Sequence, residues 1–157
     1  FKENDLFGYA DAFGNTVIPL QFSDANDFSE GLAAVKKDDG YGFIDKTGAF
    51  VIAPQFDYAD YFSEGLAAVE VNGNFGYIDK TGAFVIAPQF YRAEPFEQGM
   101  AWVELHEQPG EAIIDKTGRV LVSGIERWMY TYAEDRLWAK IEEKWHLIDL
   151  STGKFIL

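Results

Sequence analysis

One stretch of sixteen residues occurs twice, 34 residues apart, and it constrains this chain more than any other feature. Tyr41-Gly42-Phe43-Ile44-Asp45-Lys46-Thr47-Gly48-Ala49-Phe50-Val51-Ile52-Ala53-Pro54-Gln55-Phe56 returns from Phe75 to Phe90, changed only from Tyr41 to Phe75 and from Phe43 to Tyr77. Repetition at such a period means modules that bury their faces on one another, and three or more are needed for stability.

Five copies of the hairpin align on turn aspartates Asp11, Asp45, Asp79, Asp115 and Asp149, spaced 34, 34, 36 and 34 apart. The two extra residues fall in His106-Glu107-Gln108-Pro109-Gly110, which reads as a longer loop. Each copy opens on a short strand with Gly at its second position (Gly8, Gly42, Gly76) or Ala112 in the fourth copy. Glycine inside a strand predicts a close approach by backbone or by a ring. The turn Asp-Lys-Thr-Gly follows at Asp45, Asp79 and Asp115. Its Asp bonds the backbone two residues on, and its Gly takes the left-handed conformation of a bulged hairpin.

The second strand is an apolar run, such as Phe50-Val51-Ile52, expected to be covered on both faces and stopped by Pro54 and Pro88. A connection of about ten residues then carries Ala25-Phe28-Gly31, Ala59-Phe62-Gly65 and Ala93-Phe96-Gly99. Its Phe is expected to plug the core. The fourth connection departs, with Tyr132 in the Phe place and Asp135 in the Gly place. A third strand alternates, with Ala33, Val35, Ala67, Val69, Ala101, Val103, Leu137 and Ala139 on the core face. Ala34, Ala68, Trp102 and Trp138 lie on the other, expected to be half-exposed. Asp135 to Lys144 has a helix-compatible composition, but its register with the other third strands predicts a strand. The expected module is a three-stranded antiparallel meander followed by a crossing loop.

The pattern aromatic-Gly-aromatic-Ile-Asp-Lys-Thr-Gly, then Phe-Ser-Glu-Gly-Leu-Ala, resembles the bacterial WG repeat family over nearly the whole chain, best from Phe28 to Phe96. The Trp usual before the motif Gly is Phe7, Tyr41 and Phe75 here, and Trp145 precedes His146. The ring is kept, so its packing role is expected to survive. The resemblance implies a β-repeat domain, often beside other domains, that binds or scaffolds and supplies no catalytic residues. The expected fold is all-β: a single domain over 1–157 of modules in an open, curved stack, with a closed five-module propeller-like ring as the alternative. The chain starts at Phe1 rather than Met, so the expectation is a processed chain or part of something longer.

Composition narrows the function classes. Aromatics make up 17% of the 157 residues, which suits stacked β packing and excludes the disordered class. The net charge of −13 repels nucleic acid and anionic lipid. It serves solubility, and it also favours a basic partner. There is no Cys, which excludes disulfides and thiol chemistry without fixing the compartment. A secreted or envelope location is favoured slightly over the cytoplasm. No apolar run approaches the roughly 18 residues of a membrane span.

Residues with chemistry are few. The turn aspartates each offer one carboxylate beside a Lys, too few oxygens for calcium, so turn capping is the expected role. His106 and His146 stand outside any ligand-spaced motif. No cofactor and no metal site is expected. The informative departures are aromatic: Trp128, Met129, Tyr130, Tyr132 and Trp138 cluster where the fourth connection leaves the repeat, and Trp102 stands in register with Trp138. Enclosed, large rings fill a capping core; exposed, they anchor interfaces or stack on sugars. Trp102, Trp128, Tyr130 and Trp138 are therefore the candidate binding residues of a non-catalytic module for protein binding or scaffolding. The alternative is a carbohydrate- or cell-wall-binding module.

Overall fold

The computed structural model describes residues 1–107, 110–130, 136–150 and 152–156, with the backbone alone for Tyr130. The chain is all-β. Among the described residues, strands run from β1 (Lys2–Glu3) to β18 (Lys154–Phe155), no helix forms, and the antiparallel sheets stay open rather than closing into a barrel. Among the described residues no helix is long and apolar enough to cross a membrane. Two compact units divide the chain, Phe1–Pro88 and Gln89–Leu157.

In the first unit, β1, β2 (Leu6–Ala10) and β3 (Thr16–Phe22) form one sheet, and β4 (Asp24–Ala25), β5 (Ala33–Lys37), β6 (Gly40–Ile44) and β7 (Phe50–Phe56) form the next. A third sheet repeats the order with β8 (Tyr58–Ala59), β9 (Ala67–Val71), β10 (Asn74–Ile78) and β11 (Phe84–Phe90). The expected three-stranded meander is present, with two differences. Each sheet joins a third strand to the hairpin that follows it, so the sheets run out of phase with a repeat counted from the hairpin. The connection also lays down a two-residue strand, β4 or β8, against that third strand.

The motif glycine has a specific physical cause. Tyr41 lies opposite Phe56 and Phe43 opposite Ile52, so Ala53-Pro54-Gln55 bulge across Gly42 alone. A Cβ on Gly42 would sit 2.6 Å from the Ile52 carbonyl oxygen and 2.7 Å from the Pro54 nitrogen. Gly76 meets Ile86 and Pro88 at the same distances, and Gly8 meets Ile18 at 2.6 Å. The close approach is by bulge backbone rather than by rings. The prolines are therefore not strand stops, as the sequence suggests: β7 runs through Pro54 and β11 through Pro88. Each sits in an edge strand, where the missing N–H breaks no ladder and discourages pairing with another chain.

The sheets of this unit pack in succession. Ala33, Val35 and Ile44 share a core with Ile18 and Phe22 of the sheet before. Ala34, Phe43, Ile52 and Phe56 share another with Phe62, Val69 and Ile78 of the sheet after. The third strands are thus buried on both faces, and Ala34 and Ala68 are fully enclosed rather than half-exposed. Small residues are needed there because a neighbouring sheet lies against them. The second strands correct the expectation the other way, since Val17 and Val51 stand about half-exposed. Phe62 is enclosed and packs on Phe43 at 4.8 Å between centroids, as expected of a core plug. Burying such a ring stabilises by roughly 1.5–3 kcal/mol. Polar clasps join successive repeats: the Ser29 hydroxyl donates to the Phe62 carbonyl at 2.6 Å, and Lys80 pairs with the Glu30 carboxylate at 3.1 Å.

The turns also behave as expected. Asp45 Oδ1 accepts from the Thr47 N–H at 2.8 Å and the Thr47 hydroxyl at 2.6 Å, and Gly48 adopts φ +87°. Asp79 with Thr81 and Asp115 with Thr117 repeat the arrangement.

The second unit holds a single seven-stranded sheet: β12 (Arg92–Ala93), β13 (Met100–Glu104), β14 (Glu111–Asp115), β15 (Val120–Tyr130), β16 (Arg136–Ile141), β17 (Lys144–Asp149) and β18. Within the ambiguous segment, Arg136–Ile141 is strand, Glu142 and Glu143 form the hairpin turn and Lys144 opens β17. β15 is the departure. Where the earlier connections bend at Ser23 or Asp57, β15 runs straight on, pairing first with β14 and then with β16.

Candidate functional site

The reason for the long strand lies in one bulge. Ala112 replaces the motif Gly, and Glu111 lies opposite Ile125 while Ile113 lies opposite Val122. The bulge over Ala112 thus has one residue fewer than the bulge over Gly42, because a Cβ leaves less room beneath it. Every later position on β15 slides by one. Ala25, Ala59 and Ala93 face Val35, Val69 and Val103; on β15 it is Trp128 that faces the corresponding Ala139. An indole therefore occupies a place that holds a methyl in three other copies. It cannot enter the core and is 42% exposed.

Trp102 occupies the place of the enclosed Ala34 and Ala68, and its ring stacks on Trp128 with centroids 5.1 Å apart and planes at 29°. The Trp128 Nε1–H donates to Glu111 Oε2 at 3.0 Å. Glu111 itself stands where the other first strands carry Phe7, Tyr41 or Phe75. The site is thus assembled from three substitutions of repeat positions: a ring for Ala twice, and a carboxylate for a ring once.

Trp128 and Glu111 line an open groove of about 1160 Å³ within the second unit, and Trp102 stacks behind Trp128 without lining it. Its floor is the central part of β15 around Gly124, with φ +74°. Its lining includes Trp128, Met129 and Trp145, the last two from the sheet face that carries Trp138, and the glutamates Glu104, Glu111, Glu126 and Glu142, of which Glu104 pairs with Arg92 at 3.9 Å. Arg127 is the cation among the described lining residues. Met129 is 51% and Trp145 44% exposed. Beside the groove, Lys140 bonds to Glu143 and pairs with Glu126 at 3.5 Å. The bond to Glu143 holds the Lys140 ammonium above its ordinary pKa, and the same bond holds the Glu143 carboxyl below its own.

Of the four rings singled out from the sequence, the structure brings Trp102 and Trp128 together. Trp138 faces Met129 on β15 and Leu147 on β17, next to Trp128 along the ladder and so on the opposite face of the sheet. The Tyr130 side chain, the departures at Tyr132 and Asp135, and the loop residues Gln108 and Pro109 lie outside the described residues. Trp145 was missed as a groove residue because its motif position predicts packing. The acidic rim was missed because carboxylates are frequent everywhere in this chain. The histidines stand apart: His106 packs on Tyr91 at 5.9 Å and His146 on Phe155 at 4.9 Å.

The WG containing repeat matches at residues 7–41, 41–75 and 75–107, which together span more than half of the chain. The chain belongs to the WG repeat family. Among curated proteins, none matches this sequence. The backbone is similar to the solved structure of Kluyveromyces lactis Hsv2p, with a TM-score of 0.54 at 11% identity. The match covers 94% of this chain and 57% of that one, so this chain spans less than two thirds of the length of Hsv2p. At that identity the likeness concerns fold alone. The WG repeat match stops at 107, and β15 with its groove floor lies beyond it.

Proposed function

We propose that this WG repeat chain is a non-catalytic module that binds a protein partner through the groove of its second unit. One observation carries the reading: Trp102 and Trp128 stand where the regular modules hold alanines, and they form a ring stack in which Trp102 is half-buried against the core and Trp128 is partly exposed at an open groove. Aromatic anchors of this kind supply large contact area at low entropic cost and dominate interface energetics. The regular modules of the first unit supply a rigid scaffold, since their cores and clasps are repeated from sheet to sheet. Affinity capture with the intact chain tests the reading. Partners retained by the wild type and lost by Trp102→Ala/Trp128→Ala, but kept by Val51→Thr, are the expected result. Retention of the same partners by the double variant contradicts it.

A second reading rests on the same stack. Paired indoles also fit the apolar face of a sugar, which makes a carbohydrate- or wall-binding module the alternative. Quenching of Trp emission by neutral glycans, with no protein retained, is the result that favours it.

A further inference from the structure

Module interfaces inside the two units follow one rule. Residues directly opposite on neighbouring strands share a sheet face. In the first unit the Ala34–Phe43 pair of one sheet lies against Ala67, Val69 and Ile78 of the next. In the second unit the Trp102–Ile113 pair lies against Leu137, Ala139 and Ile148. Each such pair marks a receiving face, on which the next module lays its opposite sheet face. The next pair in the series is Trp138–Leu147. Leu147 holds the place of Phe43 and Ile113, which are enclosed, yet it is only half-buried. Met129, opposite Trp138, and Ile156, whose N–H donates to the Leu147 carbonyl at 2.7 Å, are about half-exposed. This receiving face is apolar and open.

The complementary face is open on the first sheet. In the sheet after it, Ala33, Val35 and Ile44 are the residues laid on the sheet before, against Ile18 and Phe22. Phe1 exchanges backbone hydrogen bonds with Gly8 and so stands where Val35 stands opposite Gly42. Ala10 precedes Asp11 as Ile44 precedes Asp45, and Leu6 alternates onto the same face as Ala10. Phe1, Leu6 and Ala10 are all exposed.

We infer that the chain self-associates head to tail, with the Trp138–Leu147 face of one copy receiving the Phe1, Leu6 and Ala10 face of a second. The inference is separate from the groove reading. Continuity with the internal interfaces selects the occupant, because both open faces repeat positions that are joined inside the molecule. Two Trp138–Leu147 faces laid on each other would match receiving face to receiving face, a pairing that neither internal interface uses. Apolar burial drives the contact, and the net charge of −13 on each copy opposes it. A heterologous contact of this kind either closes into a ring or continues.

Sedimentation of the intact chain tests the inference. The wild type is expected to gain mass as its concentration rises from about 10 μM to 1 mM. The gain is larger at about 500 mM salt than at about 50 mM, because screening relieves the repulsion between copies. Leu147→Asp and Ala10→Asp each weaken association at least about tenfold, since each puts a carboxylate into an apolar contact. Mixed in equal amounts, the two variants form a dimer that grows no further, because each supplies the face that the other has lost. Ile156→Asp, at a more exposed position, repeats the Leu147→Asp result without shifting the urea midpoint, which separates the face from any effect on folding. A wild type that stays monomeric overturns the inference. So does association that survives Ala10→Asp, or a mixture of the two variants that stays monomeric. In each of those cases the groove reading stands.

Discussion

The two units apply one repeat under different rules. In the first, third-strand positions Ala34 and Ala68 are enclosed between successive sheets, and the bulge over each motif Gly has two extra residues. In the second, Trp102 and Trp138 hold the corresponding positions, and the bulge over Ala112 is one residue shorter. The first unit shows what repetition demands of the third strand, which is a small residue at Ala34 and Ala68 where the next module lies on it. The second shows how little is needed to escape it. With Ala112 in place of the motif Gly and Ser123-Gly124 in place of Ala53-Pro54-Gln55, the bulge is one residue shorter, β15 is shifted by one residue and runs for eleven, and an indole is turned outward.

Breaking the regular unit gives the largest effects. Ala68→Trp copies the Trp102 position into the first unit, where the site is closed on both faces. It is expected to destabilise by more than about 3 kcal/mol in a urea melt. A cost below about 1 kcal/mol shows that the space is not closed. Gly42→Ala comes next, because its Cβ would meet bulge backbone, which cannot move as a side-chain tip can. A loss of about 3 kcal/mol is expected, against less than about 1 kcal/mol for Ala112→Gly. Equal losses contradict the bulge account.

Trp128→Ala sharpens the comparison from the other side. The ring is partly exposed, so stability is expected to fall by only about 1 kcal/mol, while binding to the groove falls at least about tenfold. A large stability loss with unchanged binding makes Trp128 a core residue and returns the cluster to packing.

The smallest effect concerns the turns that both units share. The Thr47 hydroxyl and then the Thr47 N–H hold the Asp45 carboxyl below its ordinary pKa, and Thr81 does the same for Asp79. Asn15, through its side chain and its backbone, does so for Asp11. A carboxylate with a lowered folded pKa contributes stability that is fully present above the unfolded value of about 4. That contribution is lost as pH falls through the lower folded value. Thr47→Val is therefore expected to lower stability slightly at neutral pH and to flatten the decline on acidification. A pH profile identical to the wild type contradicts the role of the hydroxyl.

Much of this was legible in the sequence. The hairpins, the Asp-to-Gly turns and the core plug Phe62 all follow from repeated residues. Other features were hidden, for physical reasons. Pro54 reads as a stop because a ladder needs its N–H, but a bulged edge strand does not. Ala34 and Ala68 read as half-exposed because period-2 alternation cannot see a sheet laid on the second face. The slip of β15 left no trace in the turn spacing, since Asp115 and Asp149 are still 34 residues apart. The replacement of Gly by Ala112 was visible; its consequence needed the distance between Gly42 and the bulge above it. The acidic rim depends on hairpin ends brought together in space.

The central claim is that binding belongs to the irregular unit and not to the repeat. Backbone amide shifts recorded while a partner recovered by affinity capture is added to the isotopically labelled intact chain test it most directly. The account predicts perturbations concentrated between Ser123 and Met129 and around Glu111 and Trp145, with the strands of 33–56 and 67–78 unmoved. Perturbations centred on those regular strands, or spread evenly over both units, would contradict it.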